Sequence, residues 1–186
     1  MQGNYSRISK PTFIPSNLQP GEFANVTGGQ RVWAIPDAGL LYAFVPGLGQ
    51  EALVNASLPF NNGSILIMNQ FLNLPQNISA TGVALNLTAA VGALTQLNLI
   101  EPITQNLDMT CLILSNEAFQ LIGGNLANLS TAQLTQTMSY HILAAPLPVY
   151  SDQFVKGTVT TMQGKSFSIV FSVDPEQKVL YGSQAL

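Results

Sequence analysis

Charged residues are few in this chain. Six Lys/Arg and nine Asp/Glu among 186 residues make a charged fraction of 8%, against about 25% in an average soluble domain. A net charge of −3 with scattered basic residues leaves no electrostatic footprint for a nucleic acid, and that partner class is excluded. Cysteine is rarer still. Cys111 stands alone, so no internal disulfide forms, and its place in an apolar run marks it as a small buried hydrophobe. There is one histidine, His141, and the nine acids show no ligand spacing, so neither a metal nor a cofactor is expected. No apolar run approaches the ~20 residues of a membrane span. Met1 is followed by Gln, Gly, Asn, Tyr and Ser, without a basic start or an apolar segment, so no secretion signal is expected within the chain.

What the chain does have is asparagine. Seven of its fifteen Asn open an N-x-S/T triplet: Asn4, Asn25, Asn55, Asn62, Asn77, Asn86 and Asn128. Chance would supply about two, and the excess points to an N-glycosylated, extracellular or cell-surface protein whose precursor extends upstream. Asn62 is set aside, because Asn62-Gly63 reads as a tight turn opening a strongly apolar strand, where a glycan would compete with packing. The six others are the expected glycosylation sites.

An apolar fraction of 47% is enough for a core, and the length allows one or two domains. Two stretches look like copies of two others. Gly29 to Ile35 matches Gly164 to Val170, and Gly49 to Leu53 matches Gly182 to Leu186. The chain therefore divides into a β-rich tail, residues 1–82, and a head, residues 83–186, holding parts of two copies of one unit. Short apolar runs at Val32–Ile35, Leu40–Val45 and Ile65–Met68 predict strands in the tail. Leu87, Val91, Leu94 and Leu97 predict a helix in the head, ended by Glu101-Pro102. Met109–Leu114 predicts a strand. Ser115 is a natural cap for a helix that Gly123-Gly124 closes, with Glu117 in the first turn where the dipole favours it. Ser130 and Gln133 form a capping box for a helix presenting Leu134, Met138 and His141 on one face. Strands resume at Thr158–Met162 and Phe167–Val173.

Cys111 to Phe119, an apolar strand breaking into Ser-Asn-Glu-Ala-Phe, and the later Tyr140-His141 resemble the opening half of a fasciclin-like domain. Asn62 to Asn69, with Phe71, Leu72 and Pro75 behind it, is similar to the second signature of that family. Leu66 replaces the family's usual His there, and Asn69 its Asp, which weakens a polar role for that strand. The resemblance implies an α+β fold, a β-wedge packed with several short helices, with its two signature strands adjacent. Here that fold would be incomplete or permuted across two repeats, the C-terminal part of one followed by the N-terminal part of the next. It also implies adhesion, or cell-wall or matrix assembly, through cell-surface proteins, matrix proteins or polysaccharides, with Tyr140 and His141 in the region linked to receptor binding.

Each candidate has a structural reading beside it. His141 shares a face with Leu134 and Met138, which favours a core histidine bonded to nearby backbone. Asn116 and Glu117 are explained by a helix start. Gly47-Leu48-Gly49-Gln50-Glu51-Ala52 matches a dinucleotide fingerprint, which works only with a following helix inside a parallel βαβ unit; Val54–Pro59 reads as extended or turn-like, so the match is treated as a loop. With no G-x-S-x-G elbow, and with Asp37, Asp108, Asp152 and Asp174 in separate settings, no enzyme is expected. A hydrolase using His141 and Ser115 is the remote alternative, and a spacer module without a ligand is the nearer one. An unpaired edge at Met109–Leu114 further calls for Ile65–Phe71 as a partner strand, docked either within the chain, giving one permuted domain, or between chains, giving a strand-swapped homodimer.

Overall fold

The computed structural model describes residues 10–36, 43–45, 48, 51–126, 128–150, 153, 157–173 and 180–184. The chain forms two compact units, Met1–Gln76 and Asn77–Leu186.

The first unit contains five strands and, among the described residues, no helix: β1 (Thr12–Pro15), β2 (Arg31–Ile35), β3 (Ala43–Val45), β4 (Ala52–Phe60) and β5 (Gly63–Met68). They form one antiparallel sheet in chain order. Alternation explains its core. Val32 and Ala34 point inward beside Ile14, Phe44, Ala52 and Val54, while Trp33 points outward and stacks on Phe13 with centroids 6.0 Å apart. Leu66, Met68 and Leu72 pack against the same cluster. The link from β1 to β2 is held by Ser16, whose N–H and hydroxyl both donate to the Gln30 carbonyl at 3.0 and 2.6 Å. Gly29 sits there with φ +91, and a β-carbon on it would lie 2.0 Å from the Ser16 carbonyl oxygen. Only glycine fits that approach.

Sequence reading missed β1 and left β4 as extended or turn-like chain. Asn55 to Pro59 alternates poorly because a bulge intervenes: Val54 faces Met68 and Ala56 faces Ile67, leaving Asn55 unpaired. The turn differs from expectation as well. Phe60 pairs with Gly63, so Asn61 and Asn62 are the central residues, and neither has positive φ. The Asn69 position, expected to have lost its polar role, keeps one: its side-chain oxygen accepts from the Leu53 N–H at 2.8 Å.

The second unit runs α1 (Ile78–Ala84), α2 (Thr88–Gln96), α3 (Ile100–Gln105), β6 (Met109–Cys111), α4 (Asn116–Leu126), α5 (Thr131–Tyr140), β7 (Ile142–Ala144), β8 (Gly157–Thr161), β9 (Gly164–Val173) and β10 (Leu180–Gln184). Its antiparallel sheet has the order β10-β9-β8-β7-β6. Leu94, Leu97, Leu99 and Ile103 from the helices meet Met138 and Ile142 in one buried cluster, with Met109, Cys111, Ile113 and Phe119 against it. The architecture is α+β, as expected.

Three helix expectations change. The predicted boundary at residue 82 falls inside α1, whose N-cap Asn77 accepts from the Ala80 N–H at 2.8 Å. Glu101-Pro102 does not end a helix; it lies in the first turn of α3, where a missing proline N–H leaves no bond unmade. Gly123-Gly124 does not stop α4, which continues to Leu126. Glycine costs about 1 kcal/mol in a helix interior and does not forbid it.

The two sheets also qualify the internal matches. Gly29–Ile35 leads into β2 and Gly164–Val170 into β9, each inside an antiparallel meander. The second match does not follow strand order: Gly182–Gln184 lie in β10, beside β9, whereas Ala52-Leu53 lie in β4, beside β3. Ala185 and Leu186 fall outside the described residues. The predicted strand over 109–114 is a ladder only through Cys111, extended by one bond from the Leu112 N–H to the His141 carbonyl at 2.9 Å. Among the described residues β5 and β6 are each the end strand of their own sheet.

Candidate functional site

Helix α5 delivers Tyr140 and His141. Ser130 starts it with the predicted box, its hydroxyl accepting from the Gln133 N–H at 3.3 Å while the Gln133 side chain accepts from the Ser130 N–H at 2.9 Å. Ten residues later Tyr140 ends the helix and His141 caps it, its N–H donating to the Met138 carbonyl at 3.1 Å. Both side chains are half-buried. The His141 ring stands edge-on to Tyr140 at 6.2 Å, and its Nδ1 lies 2.8 Å from the Thr137 carbonyl oxygen. A carbonyl only accepts, so Nδ1 carries the proton and, in the neutral ring, Nε2 is the acceptor. Tyr140 packs on Leu143, which is fully buried. His141 is thus anchored by backbone and Tyr140 by the core.

Ser115, Asn116 and Glu117 form the second cluster. The Ser115 carbonyl accepts from the Phe119 N–H at 3.1 Å and its hydroxyl from the Ala118 N–H at 3.2 Å, the geometry of an N-cap. The carboxyl of Glu117 is held below its ordinary range by hydrogen bonds from its own backbone N–H and from Ser115. Asn116 does something sequence reading did not find. Its side-chain oxygen accepts from the Ala89 N–H at 3.0 Å, and its side-chain nitrogen donates to the Asn86 carbonyl at 2.7 Å. Helix α2 has no side-chain cap of its own, and Asn116 caps it across the fold. The missing local cap ahead of Thr88 was the signal; the partner 27 residues away was not readable.

Cys111 packs against the helical core and its thiol is pushed up to about 11 by burial. It is a protonated, unreactive thiol at neutral pH. Among the described residues no group of three or more His, Cys, Asp or Glu could hold a metal ion, and no helix is long and apolar enough to cross a membrane. The Gly47–Ala52 match is followed by β4 rather than a helix, which leaves the fingerprint without the N-terminus it needs; Gly47, Gly49 and Gln50 lie outside the described residues.

The triplet asparagines share one property. Asn25, Asn55, Asn77, Asn86 and Asn128 are exposed, and so is Asn62; Asn4 lies outside the described residues. At Asn77 the cap uses the side-chain oxygen, so the nitrogen that a glycan would occupy is not the capping atom. Asn62 lies at the tip of a hairpin, in the two-residue turn between Phe60 and Gly63.

Residues 85–184 match the Fasciclin domain family, a stretch that falls wholly within the second unit and spans more than half of the chain. A relative from Arthroderma benhamiae (strain ATCC MYA-4681 / CBS 112371), named as a fasciclin-like arabinogalactan protein, is 31% identical over 169 residues, covering 84% of this chain and 39% of its own length. The chain thus spans about two fifths of that relative. The capped strand-to-helix start at Ser115, the Tyr140-His141 pair ending α5 and the matching stretch all agree: the chain belongs to the fasciclin domain family.

Proposed function

We propose that this chain is a glycosylated, extracellular module that acts in adhesion or in wall or matrix assembly, by binding through its folded surfaces rather than by catalysis. One observation carries the reading: in a member of the fasciclin family with a charged fraction of 8%, every described N-x-S/T asparagine is exposed. Glycans would supply the dispersal that charge does not. The name of the relative, a fasciclin-like arabinogalactan protein, supports the reading of a glycosylated module.

Tyr140 and His141 are the residues assigned to contact with a surface protein or polysaccharide. Because His141 also holds Thr137, alanine would confuse binding with folding. Tyr140→Phe with His141→Asn keeps the aromatic packing and a donor toward the Thr137 carbonyl, and removes the phenol and the ring Nε2. Attachment to immobilised matrix protein, wall polysaccharide or whole cells is expected to weaken in this folded variant. Undiminished attachment removes the two residues from the site, and a folded parent that binds none of the three supports the spacer reading. Among the described residues β5 and β6 are each an end strand, and the proposal includes a second copy as a partner, β5 of one protomer lying along β6 of another. Sedimentation of the purified chain as a monomer at all concentrations would sink that arrangement.

A further inference from the structure

The hairpin β4–β5 exposes an apolar face that carries no charged residue of its own. Residues paired directly across the strands share a face: Ala56 with Ile67, Leu58 with Ile65, and Phe60 with Gly63. On that face Leu58 is 52% exposed, Phe60 56%, Ile65 57% and Ile67 47%, so about half of each large side chain meets solvent. From Ala52 to Met68 there is not one charged residue. Exposed strands are ordinarily blunted by Lys, Glu or an inward charge, and this one has none of those devices.

Both ends of the face carry an acceptor asparagine. Asn55 is the extra residue of the bulge. Val54 before it is buried in the core and Ala56 after it faces Ile67, so the bulge sets Asn55 and Ala56 on the outer side together. At the other end Asn62 occupies the exposed two-residue turn between Phe60 and Gly63, with Ser64 completing its triplet. About 17 Å of strand separates Asn55 from Phe60, at ~3.4 Å per residue. The ring of Phe60 lies over Gly63: its Cζ is 3.0 Å from where a β-carbon on that glycine would be. An aromatic ring is thus lodged beside the turn, two residues before Asn62, where the first sugar of a glycan on Asn62 can set its apolar C–H face against it.

We propose that Asn62 is an N-glycosylation site, and that glycans at Asn62 and Asn55 together cover the outer face of this hairpin, with Phe60 as the stacking platform for the first N-acetylglucosamine on Asn62. The inference rests on the extracellular reading above and deepens it. The asparagine that sequence excluded for its apolar neighbours is the one those neighbours need.

The test is expression of the whole chain through a eukaryotic secretory pathway, followed by peptide N-glycosidase in ¹⁸O-water and peptide sequencing by mass spectrometry. Asn62-Gly63 deamidates spontaneously, so an untreated sample in the same water is run beside it. Label at Asn62 and Asn55 is expected. Asn62→Gln should then raise the fluorescence of an apolar dye and reduce the monomer peak on gel filtration. Phe60→Ser should abolish the difference in thermal midpoint between the glycosylated chain and its Asn62→Gln variant. Occupied Asn77 and Asn128 beside a bare Asn62 overturns this inference alone. A secreted chain bare at every triplet overturns it together with the extracellular reading. Occupied Asn62 with no change in dye binding, association or midpoint on Asn62→Gln overturns the covering role.

Discussion

The two units solve the problem of a half-apolar, nearly uncharged sequence in different ways. In the first, a five-stranded sheet buries Ile14, Phe44 and Val54 on one face and leaves Trp33, Ile65 and Ile67 on the other. In the second, helices α1 to α5 bring Leu94, Leu97, Leu99 and Ile103 into a cluster with Met138 and Ile142. A helix can be tiled onto a sheet to use up its apolar side; a sheet by itself has two faces and one core. Periodicity shows the same contrast, since the helical apolar residues converge, whereas alternation along β5 puts Leu66 and Met68 inward and Ile65 and Ile67 outward.

The contrast breaks most visibly at the two cores. Trp33 is the only tryptophan and belongs to the first unit, while all described helices belong to the second, so intrinsic fluorescence and helical circular dichroism report separate units. Phe44→Ala should cost about 3–5 kcal/mol and Leu94→Ala about 2–5 kcal/mol. The first is expected to shift the fluorescence transition in denaturant and leave the helical one in place, and the second to do the reverse. Both probes moving together in either variant would mean that the units unfold as one.

Two glycines give a smaller and sharper comparison. Gly29→Ala drives a β-carbon into the Ser16 carbonyl at a positive φ, and should destabilise the first unit by at least ~2 kcal/mol, from the left-handed penalty and a displaced ladder bond. Gly82→Ala brings a β-carbon to 2.5 Å from a Val91 methyl, but it also gains about 1 kcal/mol of helix propensity. A net cost below ~2 kcal/mol is expected there, read from denaturant midpoints. Equal costs would show that the backbone contact at Gly29 yields as readily as a side chain does.

The smallest effect concerns Asn116. Its alanine variant removes the cap of α2 and should lower the stability of the second unit by about 1 kcal/mol. Asn116→Asp keeps the acceptor for Ala89 and loses the donor for Asn86, so it should recover part of that loss in the helical transition. An aspartate no better than alanine would place the weight on the bond to Asn86.

Helix starts and strand runs were legible because their causes are local. Ser115 and Ser130 cap the helices their sequences announce, and β2, β5 and β9 contain the predicted apolar runs. The α+β class and the family followed from the same residues. Two local rules misled, at Glu101-Pro102 and at Gly123-Gly124, where the surrounding helix tolerated what looked like a stop. β1 and β4 were obscured for another reason: a four-residue strand and a bulged strand carry little period, and their ladders are supplied by partners elsewhere in the chain.

By itself, then, the order of residues determined which segments coil, where the caps fall, and how many asparagines a glycosylating enzyme would recognise, because each of these depends on neighbours within four positions. Only the tertiary structure decided that Asn116 caps a helix 27 residues before it, that Asn55 is exposed where the register between β4 and β5 shifts, and that Asn62 stands exposed at a turn two residues after Phe60. Those facts depend on strand register and on which elements meet, and a register is set by the whole ladder rather than by any residue in it.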